Sequence, residues 1–596
     1  MNKSLRLHLI FSFLLSFSFL LGVAQQDGKK DFVQEDWDKL SQPQKDSINK
    51  VLLQKFEKAK KAAENEEELN ANRLLGEALK NIDGTTQLTF TNFPKTQLKD
   101  DITRFKNLEE FNCVKCRSLD LNILFNQLAQ LPKLKRLNLT GGTFASLPNS
   151  IKKLSALQEI NLKDNNIKTL PDSFVLLKNL RVLSLEHNAY LYDDDVFERI
   201  KFLQVEELNF SASGLLELND KIGAVKSLKQ LDLSINDIKV LPPSFSQLTS
   251  LQQLNLSQNF TMDVLKVVAS ISSLPNLTDL NLSQCLIENL PLDISKLTSL
   301  KKLNLKANRL TSLPITFGGL VNLEYLNLGY LEMGTRMNKI ADLGPGFGQL
   351  KKLKYLDLAG NTLTILPADF SALTELEELN LGLNKLTAFP GGVSQFTKLK
   401  TLHLELNDIN SIPADIENLV QLEYLNLDGN FFNKGDKKLR SLPKELCQLK
   451  NLRTLSLKDN AIDTLPDCIG SLTSLEKLDL RNNLVSFFPA SFTQLKNLKW
   501  LDLKANDFTH LPADFQNLSS LKELNLSMNL KMSFEAEKDK LASLKQLEFL
   551  DMSYNNITKE QITPLRNALP NGKVVNWDYS NKSLPQQTRR RNIEER

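Results

Sequence analysis

The sequence is poor in the residues that usually mark chemistry. Its 596 residues include only five cysteines, four histidines, three tryptophans and eight tyrosines. So few histidines and cysteines leave little from which to build a metal centre, and an odd cysteine count does not make a disulfide framework. An excess of one charge is also lacking, since 74 lysines and arginines face 70 aspartates and glutamates. The net charge of +4 argues against nucleic acid as the main ligand, because phosphate binding needs a concentrated basic face.

Long apolar runs are confined to the amino terminus. Lys3 and Arg6 give a positive start, Leu9 to Val23 is mostly apolar, and small residues end at Ala24, before polar Gln25. This pattern predicts a signal peptide over residues 1–24. No later stretch is long and apolar enough to predict a transmembrane segment in the mature chain. We therefore expect an exported protein that is periplasmic, extracellular or on the cell surface.

What the chain does have is a repeat. The motif L-x-x-L-x-L-x-x-N recurs as 19 units, and 12 of the 18 intervals between them are 23 residues long. In the unit that starts at residue 376, Leu379 and Leu381 are two apart, so they point to one side of a short strand while their neighbours point to the other. One unit is too small to bury its own leucines, and stacking on neighbouring units predicts one continuous core. The units start at residues 108, 134, 157, 180, 205, 228, 251, 277, 300, 323, 353, 376, 399, 422, 452, 475, 498, 521 and 547.

The repeat resembles the leucine-rich repeat family in its 23-residue form, in which L-P-x-x-[F/I] comes after each strand. A clear unit is LPADFSALTELEELNLGLN, residues 366–384. The resemblance implies an α/β repeat solenoid, a horseshoe with short parallel strands on its concave side. It also implies an interaction module, although fold does not name a ligand. Because a proline opens most connecting segments, we expect brief α or 3-10 turns there instead of long helices.

The flanks of the repeats differ in composition from the repeats themselves. Ser47 to Asn81 lacks proline and carries apolar residues at helical spacing, which predicts a helical cap, and a first strand is expected near Leu88 to Phe90. At the other end, Val574, Val575 and Trp577 are expected to cover the last repeat. The predicted regions are a signal peptide (1–24), an N-terminal helical capping region (25–107), a solenoid of about 19 repeats (108–569) and a C-terminal cap with a disordered tail (570–596).

The asparagine that closes the motif is expected to turn inward. Its amide can donate and accept, so a stack of such residues predicts a hydrogen-bonded ladder between turns. Fourteen of the 19 units carry it, and Cys116, Cys285 and Ser213 replace it in three others. Cys113 takes the place of a core leucine, so the Cys113-x-x-Cys116 spacing is interpreted as two small buried groups and not as a redox or zinc motif. Whether Cys447 and Cys468, on neighbouring connecting segments, form a disulfide is left open.

Motifs that could carry catalysis all have a simpler interpretation. The glycine-rich residues 344–348 overlap Leu343 to Phe347, which replaces the L-P-x-x-F segment of the repeat, and they follow no strand-to-helix unit of the kind that a phosphate-binding loop needs. Asp193, Asp194 and Asp195 are interpreted as the start of a helix before Val196, with cation binding as the weaker alternative. His187 and His403 are in widely separated repeats and are interpreted as single solvated side chains. We therefore predict no catalytic site, no metal and no cofactor.

The scarce aromatic residues predict a binding surface. Counting the first leucine of a unit as position 1, the positions along or beside the solvent-facing side of the strand are 3, 5, 7 and 8. The first nine units carry no aromatic residue there, whereas the later units carry seven. Solvent-facing tyrosine and tryptophan are frequent at binding hot spots, although strands also favour aromatic residues without any binding role. The predicted site residues are Tyr325, Tyr330, Tyr355, Tyr424, Trp500, Phe549 and Tyr554.

These features favour a non-catalytic exported protein whose concave face, over repeats 10 to 19, binds a macromolecule, most simply a protein. A carbohydrate-binding or adhesion protein is the first alternative, with the tyrosines and Trp500 stacking on sugar rings. An intracellular signalling scaffold is the second, and the leader sequence argues against it. Ubiquitin ligases with similar repeats need a separate domain with a reactive cysteine, and the flanks of this chain contain no cysteine.

Overall fold

A computed structural model describes residues 70, 73–330, 337–430, 438–569 and 572–577. The chain divides into two units, Met1–Glu77 and Ala78–Arg596. In the described part of the first unit, Arg73 and Glu77 form an ion pair at 2.9 Å on a helical stretch. The predicted signal peptide and most of the predicted helical cap lie outside the described residues.

The second unit is built on one parallel sheet of 21 strands, each paired with the next in chain order. Every one of the 19 repeats contributes one strand, β2 to β20, as the sequence predicts. Two further strands close the sheet, β1 at the predicted first strand and β21 at the predicted cover. The strands are β1 Gln87–Thr91, β2 Glu110–Val114, β3 Arg136–Asn138, β4 Glu159–Asn161, β5 Val182–Ser184, β6 Glu207–Asn209, β7 Gln230–Asp232, β8 Gln253–Asn255, β9 Asp279–Asn281, β10 Lys302–Asn304, β11 Tyr325–Asn327, β12 Tyr355–Asp357, β13 Glu378–Asn380, β14 Thr401–His403, β15 Tyr424–Asn426, β16 Thr454–Ser456, β17 Lys477–Asp479, β18 Trp500–Asp502, β19 Glu523–Asn525, β20 Phe549–Asp551 and β21 Lys573–Val575.

The core lies on one side of this sheet. Position 4 and position 6 leucines such as Leu326 and Leu328 are fully buried, and phenylalanines from the connecting segments, such as Phe347 and Phe370, fill the space behind them. Positions 3 and 5 alternate with these leucines, so their side chains lie on the opposite, solvent-facing side. We call that side the strand face. It is a continuous surface because neighbouring strands pair position by position, for example Tyr325 opposite Tyr355.

The predicted asparagine ladder is present and joins most repeats to the one before them. The Asn384 side-chain nitrogen donates to the carbonyls of Leu358 and Leu381, each at 3.0 Å, and its oxygen accepts from the backbone nitrogen of Leu363 at 3.1 Å. The repeat that starts at residue 323 has no asparagine at the motif position. Asn338 takes the place there, donating to Leu328 and to the previous repeat.

The length of a repeat unit determines whether its connecting segment is a 3-10 turn or a helix. Units of 23 residues return through short 3-10 turns, such as Ala368–Ala372 after proline. Units of 25 or 26 residues lack that proline, and their two or three extra residues complete an α-helix, since a helix needs a longer run without a break. The helices are α1 Leu121–Leu128, α2 Asp193–Ile200, α3 Val264–Ile271, α4 Phe534–Ala542 and α5 Lys559–Ala568, the last after the final repeat strand. The two 30-residue units carry their extra length largely in residues 331–336 and 431–437, so the predicted loops of Leu331 to Ala341 and Phe431 to Arg440 lie mostly outside the described residues.

The cysteines are paired more fully than the sequence predicts. Cys113 and Cys116 are both buried, as expected, but they form a disulfide, with their Cα atoms 5.7 Å apart. The interpretation of these two as separate small groups was therefore wrong. Cys447 and Cys468 also form a disulfide and link neighbouring connecting segments. Cys285 is free and buried in the asparagine position, and burial raises the pKa of its thiol to about 12, so it is an inert packing group.

Candidate functional site

All seven predicted aromatic residues lie on or beside the strand face, and all are partly exposed. Tyr325 and Tyr355 occupy equivalent positions on β11 and β12, where the strand register places them side by side. Their rings stack with centroids 4.3 Å apart and planes 8° apart. A stacked pair held by two paired strands is a rigid apolar surface that loses little entropy on binding.

Tyr330 extends this surface at the end of the same strand. Gly360 has a φ of +70°, and a Cβ built there would lie 2.6 Å from the Cβ of Tyr330. Glycine is therefore required at this place for two reasons, the left-handed backbone and the close approach of the tyrosine. The predicted group of Tyr325, Tyr330 and Tyr355 thus comes from two consecutive repeats.

Tyr424 lies on β15, three strands beyond Tyr355, and packs against His403. The His403 and Tyr424 ring centroids are 4.8 Å apart, and His403 Nδ1 is 3.4 Å from Oε2 of Glu405. The interpretation of His403 as a single solvated side chain was therefore wrong, because it contacts both an aromatic ring and a carboxylate. His187, by contrast, is an exposed side chain hydrogen bonded to Asp164.

The remaining predicted residues lie further towards the carboxyl end. Trp500 on β18 lies between Lys477 and Glu523 in the strand register, and Phe549 is two strands beyond it. Tyr554 comes after the last repeat strand with a φ of +60°. The seven residues thus occupy the same face of one sheet in two groups, the first four in repeats 10 to 14 and the last three in repeats 17 to 19.

Carboxylates that the sequence analysis did not single out lie among these rings. Burial raises the pKa of Asp357, Asp479 and Asp502, and raises that of Asp428 to about 6. Burial is also the first cause that raises the pKa of the Tyr424 phenol, with the charges of Glu405 and Asp428 next. One pattern in the sequence could have indicated these carboxylates. Position 7 is lysine or serine in many repeats, but it is Gly329, Ala359 and Gly382 in repeats 10 to 12, and these small residues leave space for larger side chains of the next repeat.

A second feature of the strand face lies in the other half of the solenoid, where no binding residue was predicted. A concavity of about 520 Å³ extends over strands β5 to β11 and has Tyr325 at one end. Its lining combines leucines of the strands with amides and carboxylates, including Gln230, Asp232, Asn255 and Asn281. The polar row at position 5 was visible in the sequence, but it is common to this type of repeat and carried little weight.

The three aspartates that were the weaker candidate for cation binding make structural contacts instead. Asp193 Oδ2 accepts from the backbone nitrogen of Asn219 at 2.7 Å, Asp195 Oδ2 accepts from that of Leu170 at 2.7 Å, and Asp194 pairs with Lys221. The three carboxylates lie in the first turn of α2 and tie it to the repeats on either side. Across the described ranges, no group of three or more histidine, cysteine, aspartate or glutamate side chains is arranged to hold a metal ion.

Family models match most of the repeats. A model described as a leucine-rich repeat region matches residues 89–210, 341–456 and 436–573, and one described as a leucine rich repeat matches residues 204–259 and 275–330. Because the first model alone spans more than half of the chain, the protein belongs to the leucine-rich repeat family. Such folds are typically non-catalytic binding scaffolds. A comparison with curated proteins finds no match.

Solved structures of the same architecture are similar over most of the chain. A leucine-rich repeat protein of Leptospira interrogans is 27% identical, with a TM-score of 0.47, over 84% of this chain and 98% of that one. TLR13 in complex with ssRNA13 is 24% identical, with a TM-score of 0.51, over 83% of this chain and 82% of that one, which shows the fold alone. The ectodomain of the receptor kinase GASSHO1/SCHENGEN3 of Arabidopsis thaliana, in complex with CASPARIAN STRIP INTEGRITY FACTOR 2, is 22% identical, with a TM-score of 0.48, over 84% of this chain and 65% of that one.

Two observations bear on the compartment. Two disulfides are consistent with an oxidising, extracellular environment. In the portion of the chain that the structure describes, no helix combines the length and apolar character needed to cross a bilayer.

Proposed function

We propose that the protein is exported, has no catalytic activity of its own, and binds a protein partner on the strand face of repeats 10 to 19. The single observation that carries this proposal is the stacked pair Tyr325–Tyr355, which is partly exposed on a rigid sheet. Aromatic side chains in a fixed, solvent-facing position supply large contact area at little entropic cost. The proposed contact residues are Tyr325, Tyr330, Tyr355, Tyr424, Trp500, Phe549 and Tyr554.

Export is supported by the leader pattern of residues 1–24 and by the two disulfides, which the reducing cytosol would not maintain. The same disulfides count against an intracellular scaffold. A parallel sheet of 21 strands at about 4.8 Å spacing gives a strand face roughly 100 Å long. A face of that length suits a macromolecule better than a small metabolite.

Removal of three tyrosines should abolish partner capture. In a pull-down with the mature protein, the combined change Tyr325→Ala, Tyr355→Ala and Tyr424→Ala is expected to reduce recovery of the specific partner at least about tenfold, because hot-spot truncations cost about 2 kcal/mol or more each. The matched control is the double change Tyr190→Ala and Tyr192→Ala, which removes tyrosines that are 66% and 61% exposed but lie outside the strand-face positions. Equal recovery by the triple variant and the control would contradict the proposed site.

Carbohydrate binding is a second candidate, favoured by the concavity of β5 to β11, which is lined by amides and carboxylates as well as leucines and has Tyr325 at its end. Amides and carboxylates beside an aromatic ring are suited to sugar hydroxyls and to the apolar face of a sugar ring. On a glycan array, this function predicts saturable binding that falls at least about tenfold with Tyr325→Ala or Asn255→Ala. An array without saturable binding by the intact protein would rule this candidate out and leave the protein partner.

A further inference from the structure

The strand face of repeats 10 to 14 carries charge of one sign only. At positions 3, 5, 7 and 8 of these five units, the charged residues are Asp357, Glu378, Glu405 and Asp428, with neither lysine nor arginine. Lysines at position 7 of the repeats on either side bound this section. Since the whole chain has a net charge of +4, the acidic character is local to this section.

Lysines along the edge of the same strands do not neutralise these carboxylates, because they have other partners. Lys354 Nζ lies 2.8 Å from Oε2 of Glu324. Lys400 Nζ lies 2.7 Å from Oε2 of Glu377. These edge pairs involve position 2 of each unit, whereas Asp357 and its neighbours lie further along the strand. Among the described residues, no ion pair within 4.0 Å joins the face carboxylates to a lysine or arginine, although the more distant charges of Lys306 and Lys458 lower the pKa values of Asp357 and Asp428.

Two of the carboxylates occupy space next to glycines of the preceding repeat, where a Cβ would otherwise lie. A Cβ built on Gly329 would lie 2.6 Å from Oδ2 of Asp357, and one built on Gly382 would lie 2.7 Å from Oε1 of Glu405. Each carboxylate therefore lies across the backbone of the preceding repeat, where any larger residue would displace it. Apart from the 3.4 Å approach of His403 Nδ1, Glu405 Oε2 is buried without a hydrogen-bond partner among the described residues. A buried acceptor that lacks a good donor is costly to keep.

Aromatic rings border the same carboxylates. Tyr355 on β12 and Tyr424 on β15 are three strands apart, which is about 14 Å at normal strand spacing. Glu378 lies between them on β13 and is exposed. Cations bind favourably over tyrosine faces, and a guanidinium can stack on a ring while it donates to carboxylates in its own plane.

We propose that this aromatic and acidic patch, formed by Tyr355, Tyr424, Asp357, Glu378, Glu405 and Asp428, binds a basic segment of the protein partner and receives an arginine or lysine side chain beside a tyrosine ring. The inference rests on the proposed function and names the chemistry of the partner. The guanidinium or ammonium donates to the carboxylates, and the aliphatic part of the side chain packs against that ring. Binding therefore weakens as ionic strength rises.

The energetic state of the free protein agrees with this assignment. Burial raises the pKa of Asp357 and Asp428, so their charged forms are incompletely solvated in the absence of a partner. A cation placed beside them would favour their charged forms and lower both pKa values again. The same attraction would hold the cation. Asp428 also faces Asp479, Lys458 and the Ser456 hydroxyl from the following repeats. Lys458 donates its backbone N–H at 2.8 Å, and its charge also lowers the Asp428 pKa.

The test uses fluorescent peptides of defined charge against the mature protein. The probe is a short Gly-Ser peptide carrying two arginines, and its control carries citrulline, which has the same shape without the charge. We expect saturable binding of the arginine peptide with a Kd below about 1 mM, and binding of the citrulline peptide at least about tenfold weaker. No saturable binding of the arginine peptide, or equal binding of the two peptides, overturns the inference.

The variants locate the binding on the patch. Asp357→Asn combined with Asp428→Asn should weaken arginine-peptide binding at least about tenfold. Asp232→Asn, which has on β7 the position 5 that Asp357 has on β12, should leave it unchanged. Equal weakening by both would overturn the location. Arg336, in the insertion outside the described residues, is the competing occupant from the chain itself, and tighter peptide binding after Arg336→Gln would overturn the assignment to a partner.

The pull-down distinguishes a failure of this inference from a failure of the proposed function. If the tyrosine variant loses the partner but the aspartate variant retains it, the binding face is correct and the basic segment is wrong. If both variants retain the partner, the binding face is wrong as well. Both aspartate changes keep an oxygen that can accept the existing backbone hydrogen bonds, so their effect on folding can be measured separately by denaturant unfolding.

Discussion

Replacing Asn384 with alanine is expected to lower the free energy of unfolding by about 2–4 kcal/mol, because three buried backbone groups lose their partners at once. The side-chain nitrogen donates to carbonyls of two successive repeats, and the oxygen accepts from the backbone of the connecting segment. Water cannot replace these bonds, since Asn384 is only 8% exposed. Urea or guanidinium unfolding of the mature protein, monitored by circular dichroism, measures the change.

Natural replacements in the same chain set the expected order of effects. Ser213 Oγ still reaches the carbonyl of Leu185 at 3.1 Å, and Cys285 Sγ reaches that of Leu256 at 3.2 Å. We therefore expect Asn384→Ser to be less damaging than Asn384→Ala. The control is Asn380→Ala, a partly exposed position on the strand face where solvent can replace the lost bond, with an expected cost below about 1 kcal/mol. Comparable costs at Asn384 and Asn380 would contradict a structural ladder.

The sequence predicts the solenoid because each repeat is specified locally. The period-2 leucines fix which side of each strand is buried, and a slip of one residue would expose the whole core face. The same reasoning extends to the connecting segments, where the 25- and 26-residue units and their missing proline correspond to helices. Even Asn338 obeys this logic, although the insertion before it hides it from a search at fixed spacing.

The cysteine pairing could have been predicted from the same geometry. In a regular unit, the closing asparagine bonds the carbonyl of the position 6 residue, as Asn384 bonds Leu381. Cys113 and Cys116 occupy these two positions, so the fold brings them together and a disulfide can form. The prediction failed because each cysteine was interpreted through its own position and the distance between the two positions was not considered.

The candidate site was predicted only in part, because its contacts cross between repeats. Position counting placed Tyr325 and Tyr355 on the strand face, and the parallel register made them neighbours. It did not reveal that Asp357 lies across Gly329, or that His403 packs on Tyr424, since these contacts depend on side-chain directions. The spacing of residues in a repeat predicts which side of the sheet a residue lies on. The contacts within a binding patch also depend on side-chain rotamers and on the space left by glycines.

Replacing Asp428 with asparagine is expected to stabilise the protein at neutral pH by about 1–3 kcal/mol, since each unit of pKa shift corresponds to about 1.4 kcal/mol. Burial raises the pKa of Asp428 to about 6. The folded state therefore binds a proton more tightly than the unfolded chain, and the charged carboxylate opposes folding. Asparagine keeps an oxygen that can accept from Ser456 Oγ and from the backbone nitrogen of Lys458, at 2.7 and 2.8 Å in the intact protein.

The sign of the pH dependence comes from the raised pKa. The penalty of the charged form is fully present above about pH 7, decreases as the pH falls through about 6, and is lost below about pH 4, where the unfolded carboxyl is protonated too. The gain from Asp428→Asn should take the same course. Denaturant unfolding at a series of pH values measures it, with Glu378→Gln as the control, because that exposed change removes an equal charge and should alter stability by less than about 0.5 kcal/mol.

Stability and binding should move in opposite directions at Asp428. A carboxylate kept only for the fold would give a less stable protein when neutralised, whereas one kept for a cationic partner gives a more stable protein that binds more weakly. Such a trade is common at functional sites, where unfavourable local energies are retained for the sake of a ligand. Loss of stability in Asp428→Asn at neutral pH, with peptide binding unchanged, would show instead that the Asp428 charge supports the repeat stack through Ser456 and Lys458.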